Sequence, residues 1–477
     1  MASIYDTLAS ICGSENIFAA DADAAKPYHD LFDGVADNDT TFETVVLPGD
    51  GGELQKVVRA ASDQGYALWT MPNAAGNGAG LGAPGRPAVI IDQRRMNRIL
   101  EVNADSATAL VEPGVSYRQL HDHLQKQGIP LWIDSDLNPD NSIAGSICAR
   151  HYGYTPYGDH MLMQCGMEVV LGNGDLLRTG MGAVPDSDTW QLFKYNFGPY
   201  LDGLFTQSRL GVVAKIGLWL MPRPPVYRPF MISLPDDGSL TQMLEALRPL
   251  KLNGTLANTV AVSSRAFETS LHHRLDNILQ GRPVHPSTLK TIIGLGEWNV
   301  FAALYGGPDN VDLTWDYLTG VFHGVEGAVI YQDQDRGDDA VWQTRRALMG
   351  GEVPGGAGTG SLDGADGVSL TAAAPIEGEA AAAMNRIVKT VTTDHHVQFV
   401  NEFAMPARTL LNRIHLIPGK GGRDEAIAAA RELIDRLTRA GFGVVDESLA
   451  LRRMADAHYQ GSALAGLVGR LQSAVGT

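Results

Sequence analysis

The sequence predicts an α+β protein of two domains, and three observations predict it. Its 477 residues exceed what one hydrophobic core ordinarily serves. A strand, a helix and a second strand follow one another between Thr44 and Pro72 and lead into a glycine-rich loop. Beyond the prolines at 222, 224 and 225, strands and helices alternate again as far as Gly441.

Composition narrows the class of partner. Apolar residues make up 44% and charged residues 19%, which is globular rather than disordered material. A formal charge of −17 argues against nucleic acid or an anionic membrane, since either selects for clustered Lys and Arg. Cys12, Cys148 and Cys165 are too few and too scattered for a disulfide framework or a zinc site, so no metal is expected. The N-terminus lacks a basic region followed by an apolar run, and no segment approaches the ~20 apolar residues of a membrane span. A cytoplasmic protein is the expectation.

Residues 1–40 read as a helical arm and an acidic loop without chemistry. In "GDGGELQKVVRAASDQG", Leu54, Val57, Val58 and Ala61 recur at helical spacing and Gly65 stands past the last turn. "YALWTMP" returns to strand, giving a β-α-β unit. The loop "NAAGNGAGLGAPGRP" (Asn73 to Pro87) then places glycine at 76, 78, 80, 82 and 85. Without side chains, its backbone N–H groups can approach a diphosphate closely. A flexible linker is the alternative, but strands on both sides favour the phosphate loop. It is not a Rossmann fingerprint, because no helix follows it. Residues 96–134 continue as strands, a turn at Pro113-Gly114, and a helix through Leu120 and Leu124 that stops at Gly128.

"MNRILEVNADSATALVEPGVSYRQLHDHL", the glycine loop, "GYTPYGDH" and "FGPYLDGLFTQSRLGVVAKIGLWLMP" together resemble the vanillyl-alcohol oxidase and 4-cresol dehydrogenase type of flavoprotein. The resemblance is close over residues 40–225 and looser beyond. It implies a two-subdomain FAD-binding domain (41–225), an α+β cap or substrate domain (226–440), and a C-terminal segment (441–477) that returns to the first, preceded by the arm 1–40. It further implies that Asn73, Ala74, Ala75, Gly76, Asn77, Gly78 and Leu81 cradle the pyrophosphate. Ser142, Ile143, Gly145, Ser146 and Ala149 would line the flavin, and Gly211, Val212 and Val213 the adenine end. Convergent backbone donors and flat apolar walls are what a buried dinucleotide requires. Cys148 offers a thiol of the kind some related flavoproteins link to flavin, although a lone cysteine is ordinarily a small core residue. His151 is open to the same two readings.

The pocket departs from the family pattern. The family's covalent flavin ligand, a His or Tyr, has no counterpart in "GVSLTAAAPIEG" (Gly367 to Gly378), so FAD is expected to be held without a covalent bond. Val445 and Asp446 stand where the family's phenol oxidisers place a Tyr-Arg pair that stabilises phenolate. A third donor, a Tyr in the glycine loop, is replaced by Gly80 or Leu81, and the acid beside the flavin falls on Leu137, with Asp136 and Asp140 close by. Tyr154 is kept. Glu402 adds a second carboxylate to Asp446, unless the two are solvated or paired with Arg408 or Arg413. Tyr154, Asp136, Glu402 and Asp446 are therefore the candidate catalytic residues. The expected activity is FAD-dependent removal of hydride from a benzylic or hydroxyl-bearing carbon of an aromatic or phenylpropanoid-like alcohol, in a homodimer. The alternative is a flavin-binding protein whose redox role has lapsed.

Overall fold

The computed structural model describes residues 3–30, 42–71, 87–272, 294–337, 339–354, 368–418, 422–447, 451 and 461–475. The glycine loop, with the candidate residues Asn73 to Leu81, lies outside them, as does most of the second glycine-rich segment, 355–367.

The described part of the N-terminal arm is built into the first sheet rather than standing apart from it. Ile4, Leu8 and Cys12 recur every four residues, so α1 (Ile4–Cys12) buries one face. β1 (Ile17–Ala19) pairs antiparallel with β2 (Phe42–Val46). Asp50 caps α2 (Gly51–Asp63) by accepting from the N–H groups of Gly52 and Glu53, and the helix buries Leu54, Val57, Val58 and Ala61 against α1 and the sheet. β3 (Ala67–Met71) and β4 (Ala88–Asp92) complete a sheet in the order β1-β2-β4-β3, parallel except at β1.

β5 (Ile99–Asn103) and β6 (Thr108–Val111) open the second sheet. A reciprocal capping box between Ser116 and Gln119 starts α3 (Tyr117–Gln127), and Gly128 ends it at φ +65°, a conformation that favours glycine. There follow β7 (Leu131–Trp132), the short helix α4 (Ile143–Ala149), β8 (Gln164–Val170), β9 (Leu176–Arg178), β10 (Val212–Trp219) and β11 (Met221–Pro222). The sheet runs β5-β6-β10-β8-β9, all antiparallel, while β7 and β11 form a separate pair.

The second half builds one eight-stranded antiparallel sheet. Its elements are β12 (Val226–Leu234), α5 (Asp237–Leu252), β13 (Val260–Ser264), α6 (Arg265–His272), β14 (Trp298–Gly306), α7 (Pro308–Phe322), β15 (Val329–Gln332), α8 (Ala340–Met349), β16 (Val368–Pro375), α9 (Gly378–Asp394), β17 (Gln398–Met405), β18 (Thr409–Ile417), α10 (Gly422–Arg439) and β19 (Gly443–Glu447). The strand order is β15-β12-β14-β13-β17-β18-β16-β19. Helices α5, α7, α9 and α10 cover the outer face through Ile232, Val262, Val300, Phe403 and Leu416. The inner face, with Met231, Ala261, Phe301 and Ala404, packs on Leu137, Tyr152 and Tyr154 from the first half and on α6 and α8. β19 is therefore an edge strand of this sheet, although the sequence division ends the substrate domain at 440; hydrogen bonding to β16 holds it there. Helix α11 (Ala463–Val475) goes back to the second sheet, where Leu471 and Val475 join its core and Val475 O accepts from the Asn173 N–H.

Candidate active site

A cleft between the first two sheets is lined by Thr70 and Gln93 on one side and by Ala144, Cys148, Phe205, Gln207, Ser208, Gly211 and Val213 on the other, with Pro113 at the seam. Glycine makes the seam possible, because a Cβ on Gly114 would stand 2.7 Å from Gln93 O. Gln93 Nε2 bridges the sheets by donating to Val213 O at 2.7 Å. Apolar walls with a few amide and hydroxyl groups on their rim are a donor set that fits part of FAD.

Helix α4 sorts the residues expected around the flavin. Ala144 and Cys148, four apart, face the cleft. Ile143 packs into the second core, and Ser142 caps the helix and donates to Pro113 O at 2.5 Å. Ser146 turns toward a buried polar cluster. Gly145 is bonded through its N–H to Ser142 Oγ, and Ala149 O accepts from Gln207 Nε2. Of the last trio, Gly211 and Val213 line the cleft, while the Val212 side chain packs into the core beside α1. Burial pushes the Cys148 thiol up to about 12, which keeps it protonated and a poor nucleophile.

The turn 152–158 is held from behind by Asp134. Its carboxylate accepts from the N–H groups of Tyr154 (3.1 Å) and Thr155 (2.6 Å), and His160 Nε2 donates to its other oxygen at 2.7 Å. Gly153 has no room for a side chain, since a Cβ would fall inside the Asp134 carboxylate. His160 Nδ1 faces the Tyr117 hydroxyl (3.0 Å) and Ser146 Oγ (3.2 Å), and Ser146 donates to Asp136 at 3.3 Å. Asp136 also accepts from Asn141 and lies 3.8 Å from His151 Nδ1. Burial works to raise its pKa, but the hydrogen bond and charge of His151 outweigh burial and hold it below the usual carboxylate range. Leu137 points instead into the apolar cluster around Tyr152 and Tyr154, and Asp140 pairs with Arg118 on the outside.

Opposite this turn stands the inner face of the large sheet. Glu402 on β17 is fully buried and accepts from Tyr154 OH at 2.8 Å and Tyr152 OH at 3.4 Å. Its cationic partner is neither Arg408 nor Arg413 but Arg345 of α8, which also binds Glu268 of α6. All three members of this triad are at most 1% exposed. Burial raises the Glu268 pKa, with Arg345 acting against it. Arg413 on β18 stands directly across from Glu402 and lies 4.6 Å over the Tyr152 ring. Asp446 follows in the same row, opposite Thr371 on β16; its side chain lies outside the described residues. The neighbouring Val445 is exposed and its carbonyl accepts from Gln207 Nε2.

The structure thus brings Tyr154 and Glu402 into contact and sets Asp136 in the cluster behind their turn. Sequence reasoning missed Arg345, Glu268, Tyr152, Asp134 and His160. The tyrosine could have been found, because Tyr152 and Tyr154 share one side of a turn already singled out.

A family model described as an FAD binding domain matches residues 42–180. The 4-cresol dehydrogenase [hydroxylating] flavoprotein subunit of Pseudomonas putida is 33% identical over 450 residues, which is 91% of this chain and 86% of the relative. The crystal structure of p-cresol methylhydroxylase with substrate bound superposes with a TM-score of 0.92 at 29% identity, covering 99% of this chain and 94% of that one. The isoeugenol complex of 4-ethylphenol oxidase from Gulosibacter chungangensis gives 0.91 at 26% identity, with the same coverage. With this likeness extending over both halves of the molecule, the chain belongs to the vanillyl-alcohol oxidase and 4-cresol dehydrogenase family of PCMH-type, FAD-dependent oxidoreductases.

Proposed function

We propose that the chain takes hydride from a benzylic or hydroxyl-bearing carbon of an aromatic or phenylpropanoid-like alcohol. The observation that carries this reading is the buried aromatic cluster of Tyr152, Tyr154 and Phe301 beside the Glu402–Arg345 pair. The names of the relatives, which act on cresol and ethylphenol, support it. Bound FAD supplies the acceptor for the two electrons. Tyr154, fixed by Asp134 from behind and by Glu402 in front, packs its ring against the substrate and excludes water. Asp136, kept ionised by His151, provides a fixed negative charge toward a carbon that becomes electron-poor as hydride leaves. Asp446, expected to add a carboxylate to this site, has its backbone at the far end of the row through Glu402.

In this reading the first two sheets hold FAD, through residues 73–81, the helix after Ser142 and the 211–213 segment. The eight-stranded sheet carries the substrate wall. FAD is bound non-covalently, since the Gly367–Gly378 segment offers no His or Tyr and the Cys148 thiol stays protonated. Leu192, Phe193, Tyr195, Phe197 and Tyr200 form an exposed apolar patch, with Phe193, Tyr195 and Tyr200 in edge contact at 5.4 Å, and this patch supports a homodimer. Among the described residues no helix is long and apolar enough to cross a membrane. The three described cysteines are free and buried, which supports a reducing, cytoplasmic setting.

The test is anaerobic mixing of the holoprotein with benzylic, cinnamyl and aliphatic alcohols while the flavin absorbance is followed. Bleaching by aromatic alcohols and not by aliphatic ones is the expected result. Bleaching by aliphatic 2-hydroxy acids alone would overturn the reading.

A further inference from the structure

Two guanidinium groups stand at the aromatic wall, and they are in different states. Arg345 is saturated, bound by Glu268 and Glu402 in a triad closed to solvent. Arg413 is half-buried and, among the described residues, makes no hydrogen bond or ion pair; its guanidinium lies over the face of Tyr152. Stacking on a ring leaves the edge of a guanidinium, with its N–H donors, free to meet a planar acceptor. Register fixes the face of the sheet from which Arg413 projects. Ser263, Glu402, Arg413 and Thr371 are direct neighbours across four strands, so all point to the inner face where Tyr152 and Tyr154 lie.

Accounting for the donors at this wall narrows the ligand. The hydroxyls of Tyr152 and Tyr154 both donate to Glu402, so neither proton is available to draw a phenol toward its anion. An unperturbed phenol ionises near pH ~10 and needs several donors to do so at neutrality, whereas a carboxylate, with a pKa near ~4, arrives charged. Burial disfavours the charge on Arg413, but Tyr152, Tyr154, Glu402 and Asp136 around it more than compensate, so it remains a cation.

We propose that Arg413 is the anion-binding residue of the pocket and that the substrate is an aromatic compound carrying a carboxylate, paired bidentately with its guanidinium. This rests on the inner face being the substrate wall. It gives the pocket a polar anchor at a position different from Val445 and Asp446, the residues whose character argues against phenolate binding there.

The experiment uses the FAD-loaded full chain, its Arg413→Gln and Arg413→Lys variants, and two readouts. In the first, benzoate and phenol are titrated calorimetrically at pH 7 as non-reacting probes. Benzoate is expected to bind at least tenfold more tightly than phenol, the preference to vanish in R413Q and to survive in part in R413K, with FAD content and Tm unchanged in both. In the second, anaerobic flavin reduction by 4-(hydroxymethyl)benzoate is compared with its methyl ester, and by 4-hydroxybenzyl alcohol with its methyl ether. The free acid should win over its ester in the native protein only. Equal benzoate affinity in the native protein and R413Q overturns the proposal. A preference for phenol over its ether that disappears in R413Q overturns it in favour of a phenolate site. Should no aromatic alcohol reduce the flavin, the proposed activity fails on its own, and the benzoate titration still decides the role of Arg413.

Discussion

Replacing Arg345 by Met tests the buried triad most directly. The side chain is 1% exposed and its two acids are fully buried, so the change leaves two uncompensated carboxylates in the interior. Removing one partner of a buried pair costs about 3–5 kcal/mol, because the charge left behind has neither water nor a counter-ion. Arg346, the next residue, pairs with Asp333 at 45% exposure, and an exposed pair contributes only about 0–1 kcal/mol. Arg346→Met is therefore a control on the same helix. The deficit should also depend on pH. Burial already raises the Glu268 pKa, and removing the cation raises it further. A carboxyl whose folded pKa lies above its unfolded value favours folding at low pH, and that contribution is lost as pH rises through the folded pKa. Guanidinium denaturation followed by near-ultraviolet circular dichroism should show R345M less stable by several kcal/mol at pH 8 and less severely affected at pH 5. Adding Glu268→Gln and Glu402→Gln should restore part of the loss. A deficit no larger than that of Arg346→Met, or one that does not change with pH, would refute the reasoning.

Three further outcomes follow from other sites. Gly153→Ala forces a Cβ into the Asp134 carboxylate and should displace the 152–155 turn, costing about 1–3 kcal/mol as overpacking does and abolishing flavin reduction by substrate while FAD stays bound; unchanged turnover would contradict the placement of Tyr154. His395 lies between Glu425 (2.7 Å) and Glu432 (2.8 Å), whose hydrogen bonds raise its pKa above its ordinary 6.5, so it fastens α9 to α10 while charged. That contribution is complete below pH 6.5 and fades as pH rises through the folded pKa, so the Tm difference between the native protein and His395→Gln should shrink from pH 6 to pH 9, and a constant difference would count against it. Acid precipitation should release yellow flavin into the supernatant from both the native protein and Cys148→Ala; colour retained in the native pellet would show a covalent bond.

Much of the fold was legible because its signals are local. The apolar spacing of Leu54, Val57, Val58 and Ala61 wrote one helix, and Gly128 marked the end of another, since caps act within a few residues; the Ser116–Gln119 box that starts it emerged from the structure. The place of α1 was less legible. Ile4, Leu8 and Cys12 show a helical stripe, but the surface that covers it comes from α2 and the first sheet, and nothing in the first 20 residues announces that. β19 was assigned outside the large sheet for a related reason. Its partner β16 lies some 70 residues earlier, and antiparallel pairing over that distance leaves no periodic trace.

The site was harder to read because alternation misleads when both faces of a strand are covered. In "TLLNRIHLI" the even positions Leu410, Ile414 and Leu416 face the helices, while Leu411, Arg413 and His415 alternate against them. A strand with one such face ordinarily turns the polar set to water, which is the reading that leaves Glu402 and Asp446 solvated or paired with Arg408 or Arg413. Here residues of the first half, Leu137, Tyr152 and Tyr154, cover that face, so the polar set is buried between the two halves. The same burial explains why Glu402 does not take the nearest cation. Tyr152 occupies the face of Arg413, and α8 delivers Arg345 from 57 positions away with a second glutamate already attached. Among the described residues, the charge directly across from Glu402, Arg413, then makes no hydrogen bond or ion pair. In the proposed reading it is Arg413, rather than the tyrosine hydroxyls already donated to Glu402, that meets the substrate.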